Sequence, residues 1–273
     1  MTAPGFDELA DLALRKSGHA FRVNQKYLME ARLSDILRRE SFSELAELAD
    51  CLSARPNPVL EDEVVAAMLG KDTHFFKDRD RLTSIVSELL PSIARRHEER
   101  GETRPIRLWC AGGGSGQEAY SLAMLLDEAN EDVFLGRAIE IVSTDICKRS
   151  CEQASAGLYN HYEIQRGLSA RRMLKYFTKA DDLWRANDTL RERVTFGVQN
   201  LMDPFDGGEL YDIVLCRDVL NDLLTPIALD ISRRLGATLQ DEGCLFLAKN
   251  EELPVDIGFN VHETVEGAWC YVR

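Results

Sequence analysis

Five short, largely apolar runs, each closed by polar residues, alternate with helical periodicities over the last two thirds of the chain. Ile106 to Cys110, Ile139 to Thr144, Val194 to Val198, Asp212 to Cys216 and Cys244 to Ala248 have the length and composition of buried strands. From Gln117 onward, Tyr120, Leu122, Ala123, Leu125 and Leu126 recur at helical spacing. Strands alternating with helices predict an α/β fold built on a doubly wound, mostly parallel sheet. The ligand crevice of such a sheet lies outside the carboxyl ends of its strands. Those ends carry Gly112-Gly113-Gly114-Ser115-Gly116, Asp145, Asn200, Arg217-Asp218 and Lys249-Asn250. Asn260 to Arg273 reads as a hairpin through Glu266-Gly267, an antiparallel edge to that sheet.

The chain begins differently. Residues 1 to about 70 read as all-helical, with Met29, Leu33, Ile36 and Leu37 on one face. Arg55-Pro56 and Asn57-Pro58 interrupt the pattern before a helix around Val64 to Leu69. The division expected is a helical domain over 1–80 and an α/β domain over 81–273. Leu82 to Arg100 is a helical stretch with a break at Pro91. The 48 residues from Ile146 to Arg193 exceed a simple crossover, so a subdomain is expected at about 157–193. It would hold a helix around Ser169 to Phe177 and a β-hairpin turning at Asn187-Asp188.

Charge narrows the function classes. A formal net charge of −13 over 273 residues speaks against a nucleic-acid binder. No run approaches the 18 apolar residues of a membrane span, and no basic, apolar leader opens the sequence. Seven cysteines without a C-x-x-C pair read as reduced and cytoplasmic, and the five histidines show no metal-ligand spacing. Charge is also segregated. Residues 15–39 carry seven basic side chains against two acidic, and residues 40–63 carry seven acidic against one basic. Two solvated helix faces, or a basic docking face around Arg32, Arg38 and Arg39 for an acidic partner, both fit this pattern.

The glycine turn after the first strand lets backbone approach a ligand closely. Gly114, Gly116 and Ala119 satisfy a loose G-x-G-x-x-A pattern, yet the acid Asp145 lies 31 residues after Gly114. A nicotinamide fingerprint places its acid about 20 residues on, and no G-x-x-x-x-G-K-[ST] occurs. Asp145 can accept hydrogen bonds from both ribose hydroxyls of an adenosine, so the spacing favours a different adenosine ligand. Thr73-His74-Phe75-Phe76-Lys77-Asp78 suits a turn that buries its aromatics and presents Thr73 and Lys77. A helix start capped by Asp72 or Thr73 is the other reading.

Taken together, Thr73 to Asp78, Ala111 to Leu125, Ser143 to Ile146, Gly157-Leu158-Tyr159 with Glu163, Tyr176-Phe177, Val194 to Leu201 and Asp212 to Leu220 resemble the chemotaxis-receptor glutamate O-methyltransferases of the CheR type. The resemblance covers nearly the whole chain. It implies a Rossmann-like methyltransferase domain using S-adenosylmethionine, with S-adenosylhomocysteine as product. It also implies a small helical N-terminal domain and a small β-subdomain. The implied cofactor positions are Thr73, Lys77, Gly112, Glu118, Asp145, Asn200, Leu201, Cys216 and Arg217, with Lys77 also the catalytic position. Glu118 and Asp145 would hold the charged and ribose parts, and Asn200 and Leu201 the adenine. The implied partner is a chemoreceptor's cytoplasmic coiled coil, or a similar acidic helical protein, met by the basic N-terminal helices of a monomer.

Six positions depart from the family pattern: Lys71 for asparagine, Lys77 for arginine, Gln117 for glutamate and Ala119 for proline in the glycine motif, Asp218 for asparagine and Asp222 for tyrosine. Two alternatives therefore stand beside a receptor methyltransferase. One is a cofactor-binding regulatory module with weakened catalysis, and the other an enzyme of this fold with a different protein acceptor. If Lys77 and Asp222 both point inward, they are expected to pair.

Overall fold

The structure, a computed structural model, describes residues 4–70, 73–205, 208, 210–253, 258–263 and 269–273. The N-terminal helices are α1 (Phe6–Ser17), α2 (Lys26–Arg39), α3 (Leu45–Ala54) and α4 (Pro58–Met68). Asn57 caps α4 by accepting from the Leu60 N–H, and Pro58 occupies the first turn, where its missing N–H costs nothing. Phe6, Leu9, Met29, Leu33, Leu48, Val64 and Met68 form a buried cluster among these four helices. The segregated charges meet one another here. Arg39 grips Glu63 through two hydrogen bonds of 2.5 and 2.7 Å, and Lys16 lies 3.0 and 2.7 Å from Glu61 and Asp62.

Next come α5 (Arg79–Ser84), a π-helical turn over Ile85–Leu89, and α6 (Leu90–Glu99). The helical stretch does not stop at Pro91. The wider turn ahead of it accommodates a residue that cannot donate and would clash with a regular turn.

The α/β part runs β1 (Ile106–Ala111), α7 (Gln117–Glu128), β2 (Ile139–Asp145), α8 (Lys148–Ala156), β3 (Leu158–Tyr159), α9 (His161–Gln165), α10 (Ala170–Tyr176), β4 (Phe177–Ala180), β5 (Leu183–Ala186), α11 (Asp188–Glu192), β6 (Val194–Val198), β7 (Tyr211–Leu215), α12 (Thr225–Ala237), β8 (Leu239–Phe246), β9 (Asn260–Glu263) and β10 (Trp269–Val272). The main sheet has the order β6-β2-β1-β7-β8-β10-β9. β6, β2, β1, β7 and β8 pair in parallel, and β10 runs antiparallel to both β8 and β9. The expected turn at Glu266-Gly267 lies outside the described residues.

Alternation along the strands puts a core on each side of the sheet. Leu108 and Cys110 of β1, with Ile213 and Leu215 of β7, face a cluster that includes Phe75, Leu82, Ile93 and Tyr120. Trp109 and Ala111, with Val214, face Ile231 and Leu235 of α12. At the sheet's lower edge the buried carboxylate of Asp212 accepts from Arg104 twice, at 2.9 Å each, and from the Arg107 N–H. It is therefore a paired charge.

Two expectations are corrected. β8 starts at Leu239 rather than Cys244, and its pairing with β7 shifts register between Tyr211 and Ile213. The hairpin in the long crossover is β4–β5, turning at Asp181-Asp182, not at Asn187-Asp188. Asp181 takes the left-handed conformation there, with φ 53°, which a short polar side chain tolerates. Asn187 instead accepts from the Leu190 N–H and caps α11, and β3 completes a separate three-stranded sheet beside β5.

Candidate methyltransferase site

The site is assembled from the carboxyl ends of the main strands. Gly112 and Gly113 both donate to the Thr144 carbonyl, at 2.8 and 2.9 Å, which folds the glycine turn onto β2. A Cβ on Gly113 would stand 2.2 Å from Ser143 Oγ. Gly116, at φ 90°, starts α7, and a Cβ there would press on Ala154 and Phe196. Tyr159 donates to the Ser115 carbonyl at 2.7 Å and anchors the far side of the turn.

Asp145 closes β2. One carboxylate oxygen accepts from the Gly114 N–H at 2.8 Å and the other from the Cys147 N–H at 2.9 Å. A carboxylate offers about four acceptor directions, so this fixed group retains two for a diol. The nearby Cys151 thiol is pushed up to about 11, by burial first and then by the charge of Asp145. It is no nucleophile near neutral pH.

Two clefts open on this edge. The larger, about 880 Å³ including its part open to solvent, is lined by Gly114, Asp145, Asn200 and Leu201 on the sheet side. Ser17, His19 and Gly70 of the N-terminal region form its other wall. The smaller, about 350 Å³, is lined by Lys77, Glu118 and Arg217. Thr73, Gly112 and Asp218 border both. Eight of the nine sequence-predicted positions thus line one cleft or the other. Cys216 lines neither; it is fully buried, and its N–H donates to the Phe246 carbonyl.

The N-terminal helices are tied to this edge by backbone. His19 bridges Leu223 in antiparallel fashion, and the Ala20 N–H donates to the Asp222 carbonyl at 2.9 Å. The Asn200 side chain donates to the Lys16 carbonyl at 2.6 Å and accepts from the Met202 N–H at 3.0 Å. Burial lowers the pKa of His19, and Arg32 adds to this against the pull of Asp222.

Arg217 is the electrostatic centre of the smaller cleft. Its side chain is 3% exposed and reaches Glu118 at 2.5 Å, Asp78 at 2.6 Å and the Lys77 carbonyl at 3.0 Å. Burial opposes its charge, but Glu118 and Asp78 outweigh that and raise its pKa above the ordinary value. Its Nε is buried with no hydrogen-bond partner among the described residues. An unsatisfied buried donor beside an open cleft fits a site meant for an acceptor-bearing ligand. The Thr73–Asp78 segment is a turn, as one reading expected. Phe75 and Phe76 are buried, and α5 starts only at Arg79, so Thr73 does not cap it; Asp72 lies outside the described residues.

Lys77 does not pair with Asp222. Its ammonium lies 2.9 Å from Asp218, and Asp222 instead faces the region of His19 and Arg32. Asp218 sits in the left-handed region, φ 55°, which reverses the chain straight after Arg217. Lys71 lies outside the described residues. Sequence reasoning missed Glu251, a carboxylate 5% exposed at the end of the segment after β8. It accepts from the N–H groups of Asp218 (2.7 Å), Val219 (2.9 Å), Ala248 (3.0 Å) and Asn221 (3.4 Å). Its only signal in the sequence is an acid just beyond a strand's carboxyl end. Among the described residues, no cluster of three or more histidine, cysteine, aspartate or glutamate side chains could hold a metal, and no helix is long and apolar enough to cross a membrane.

A doubly wound sheet with this glycine turn, acid and cleft suits an adenosine ligand, and the family matches make the protein an S-adenosylmethionine-dependent methyltransferase. Residues 71–267 match the CheR methyltransferase SAM-binding domain, and residues 4–69 match the CheR methyltransferase all-alpha domain. The chain belongs to the CheR methyltransferase family, and S-adenosylmethionine is its cofactor. It is 32% identical to the chemotaxis protein methyltransferase Cher2 of Pseudomonas putida, over 91% of this chain and 90% of that one. It is 33% identical to chemotaxis protein methyltransferase 1 of Pseudomonas aeruginosa, over 93% and 92%. A solved plantazolicin methyltransferase, BpumL in complex with SAH, covers 89% of this chain and 61% of its own at 9% identity. Its TM-score of 0.35 adds nothing to the assignment.

Proposed function

We propose that this protein transfers the methyl group of S-adenosylmethionine to glutamate side chains of a chemoreceptor, forming methyl esters. The observation that carries the reading is Lys77, whose ammonium lies 2.9 Å from Asp218 and which lines the smaller cleft with Thr73, Gly112 and Asp218, the residues that border both clefts. In this reading Asp145 holds the ribose, Leu201 and the backbone of Asn200 flank the adenine, and Arg217 with Glu118 holds the amino-acid end. Bound there, the cofactor supplies a methyl group on a sulfonium, an already activated donor. A glutamate of reference pKa about 4.3 is ionised near neutrality, so the protein need not remove a proton. Its task is to hold the carboxylate in line, and Lys77 does this as a point charge.

The division into a helical domain and a methyltransferase domain carrying the β4–β5 subdomain belongs to the same reading, as does a monomer working in the cytoplasm. Seven free cysteines suit a reducing compartment. We place acceptor docking on the exposed face of α2. Arg38, with 76% of its side chain exposed, holds Asp35 only through a surface pair, which an acidic helix can exchange. Arg32 is set apart from that face, because its guanidinium is half-buried and bonded to the Met68 carbonyl.

In this account the Asp218 carboxylate competes with the acceptor for Lys77. Asp218→Asn is expected to raise kcat/KM toward a receptor fragment about tenfold. At 4 Å and an effective dielectric near 20 the pair is worth up to about 4 kcal/mol, and solvent at these part-exposed groups leaves a fraction of that. Lys77→Met should lower kcat/KM roughly 10- to 100-fold with cofactor affinity changed far less. Lys77→Arg should preserve or raise it, since arginine grips a carboxylate at two points. A kcat/KM that stays level in both Asp218→Asn and Lys77→Met would remove Lys77 from the acceptor site.

A further inference from the structure

Glu251 has no place in the chemistry above, yet it is one of the most completely engaged side chains at this edge. Three of its four backbone donors belong to the loop of Asp218, Val219 and Asn221. The fourth, Ala248, lies just beyond β8, and Asn221 also donates to the Asn250 carbonyl at 3.1 Å. A single buried carboxylate therefore joins the segment after β8 to the segment after β7. Hydrogen bonds to a charged acceptor are about twice as strong as neutral ones, so this loop is held tightly. What it holds is a residue in the left-handed conformation: Asp218 at φ 55°, whose N–H points to Glu251 and whose carboxylate points to Lys77.

We infer that Glu251 is a positioning residue for the acceptor site: its carboxylate fixes Asp218, and through Asp218 it sets how tightly Lys77 is held and how readily an acceptor carboxylate can take it. The inference deepens the methyltransferase reading and rests on it for the acceptor, but not for the link from Glu251 to Lys77. Glu251 touches no reacting atom. It acts through the loop, as the groups behind a functional side chain commonly do.

Glu251→Gln keeps the side chain's shape and one acceptor oxygen while turning a donor toward the backbone N–H groups. The first readout is the acetylation rate of Lys77 by acetic anhydride in the full chain, followed by mass spectrometry. Glu251→Gln should raise it several-fold, Asp218→Asn should do the same, and the double variant should go no further. The second readout is the acceptor KM. Asp218→Asn is expected to lower it about tenfold in the native background and less than about twofold in the Glu251→Gln background. Should Glu251→Gln not fold by circular dichroism, Glu251→Asp, which keeps the charge but falls short of the loop, takes its place. Lys77 labelling that rises in Asp218→Asn but not in the Glu251 variant would overturn the inference, as would effects that simply multiply. If the native chain transfers no methyl group, the methyltransferase reading fails while the labelling still decides the role of Glu251.

Discussion

Arg217→Ala should cost about 3–5 kcal/mol of stability, the usual result of removing one partner from a buried ionic cluster. The expectation follows from what stays behind. Glu118 and Asp78 would each keep a charge beside a cavity, at positions where Arg217 now stands 2.5 and 2.6 Å away. The loss also reaches the Thr73–Asp78 turn, because Arg217 donates to the Lys77 carbonyl as well. Arg217→Lys restores a charge but not the fork, so it should recover part of the stability and little of the cofactor affinity. Denaturant unfolding and calorimetry with S-adenosylhomocysteine read the two effects separately. A stability loss under about 1 kcal/mol for Arg217→Ala would mean that water screens the cluster, contrary to its burial.

Asp145→Ala should weaken S-adenosylhomocysteine binding roughly 100-fold, and it should also cost stability. An unsatisfied buried hydrogen-bonding group costs about 1–3 kcal/mol, and each 1.4 kcal/mol is tenfold in affinity. Two ribose hydroxyls would lose their acceptor, and in the free protein the Gly114 and Cys147 N–H groups would lose theirs. The glycine turn would then be less well ordered before the ligand arrives, which adds to the affinity loss. Asp145→Asn keeps one acceptor oxygen and should fall between. Unchanged affinity in Asp145→Ala would place the ribose elsewhere.

Much of this site can be read in the sequence because strands buried on both faces leave continuous apolar runs, and their polar ends mark the crevice. Asp145 and Arg217 lie where such ends predict, whereas Glu118, in the first turn of α7, is named only by the family resemblance. The partnership of Lys77 could not be read in this way. It depends on Asp218 adopting a left-handed backbone conformation, and on Glu251, 33 residues further on, holding it there. No local periodicity encodes a carboxylate that collects backbone N–H groups from another loop. The crossover hairpin was misplaced for a related reason. Asn187-Asp188 and Asp181-Asp182 both carry turn chemistry, and only the pairing of β5 with β3 and β4 decides between them. The charge segregation at the N-terminus fits solvated faces or a docking face. Periodicity could not show that part of it joins α1 and α2 to the acids of α4, as Lys16 with Glu61 and Arg39 with Glu63 do, because helices that pack together bring distant charges side by side.

Methyl transfer to a carboxylate differs from other methylations in the bond formed. The direct measurement incubates the protein with S-adenosylmethionine labelled in its methyl group and a receptor cytoplasmic fragment, then treats the product with mild alkali. Label on the fragment that alkali releases as methanol is expected, and less of it with Lys77→Met. Label that survives alkali, or cofactor binding without any transfer to receptor fragments, would contradict carboxylate methylation.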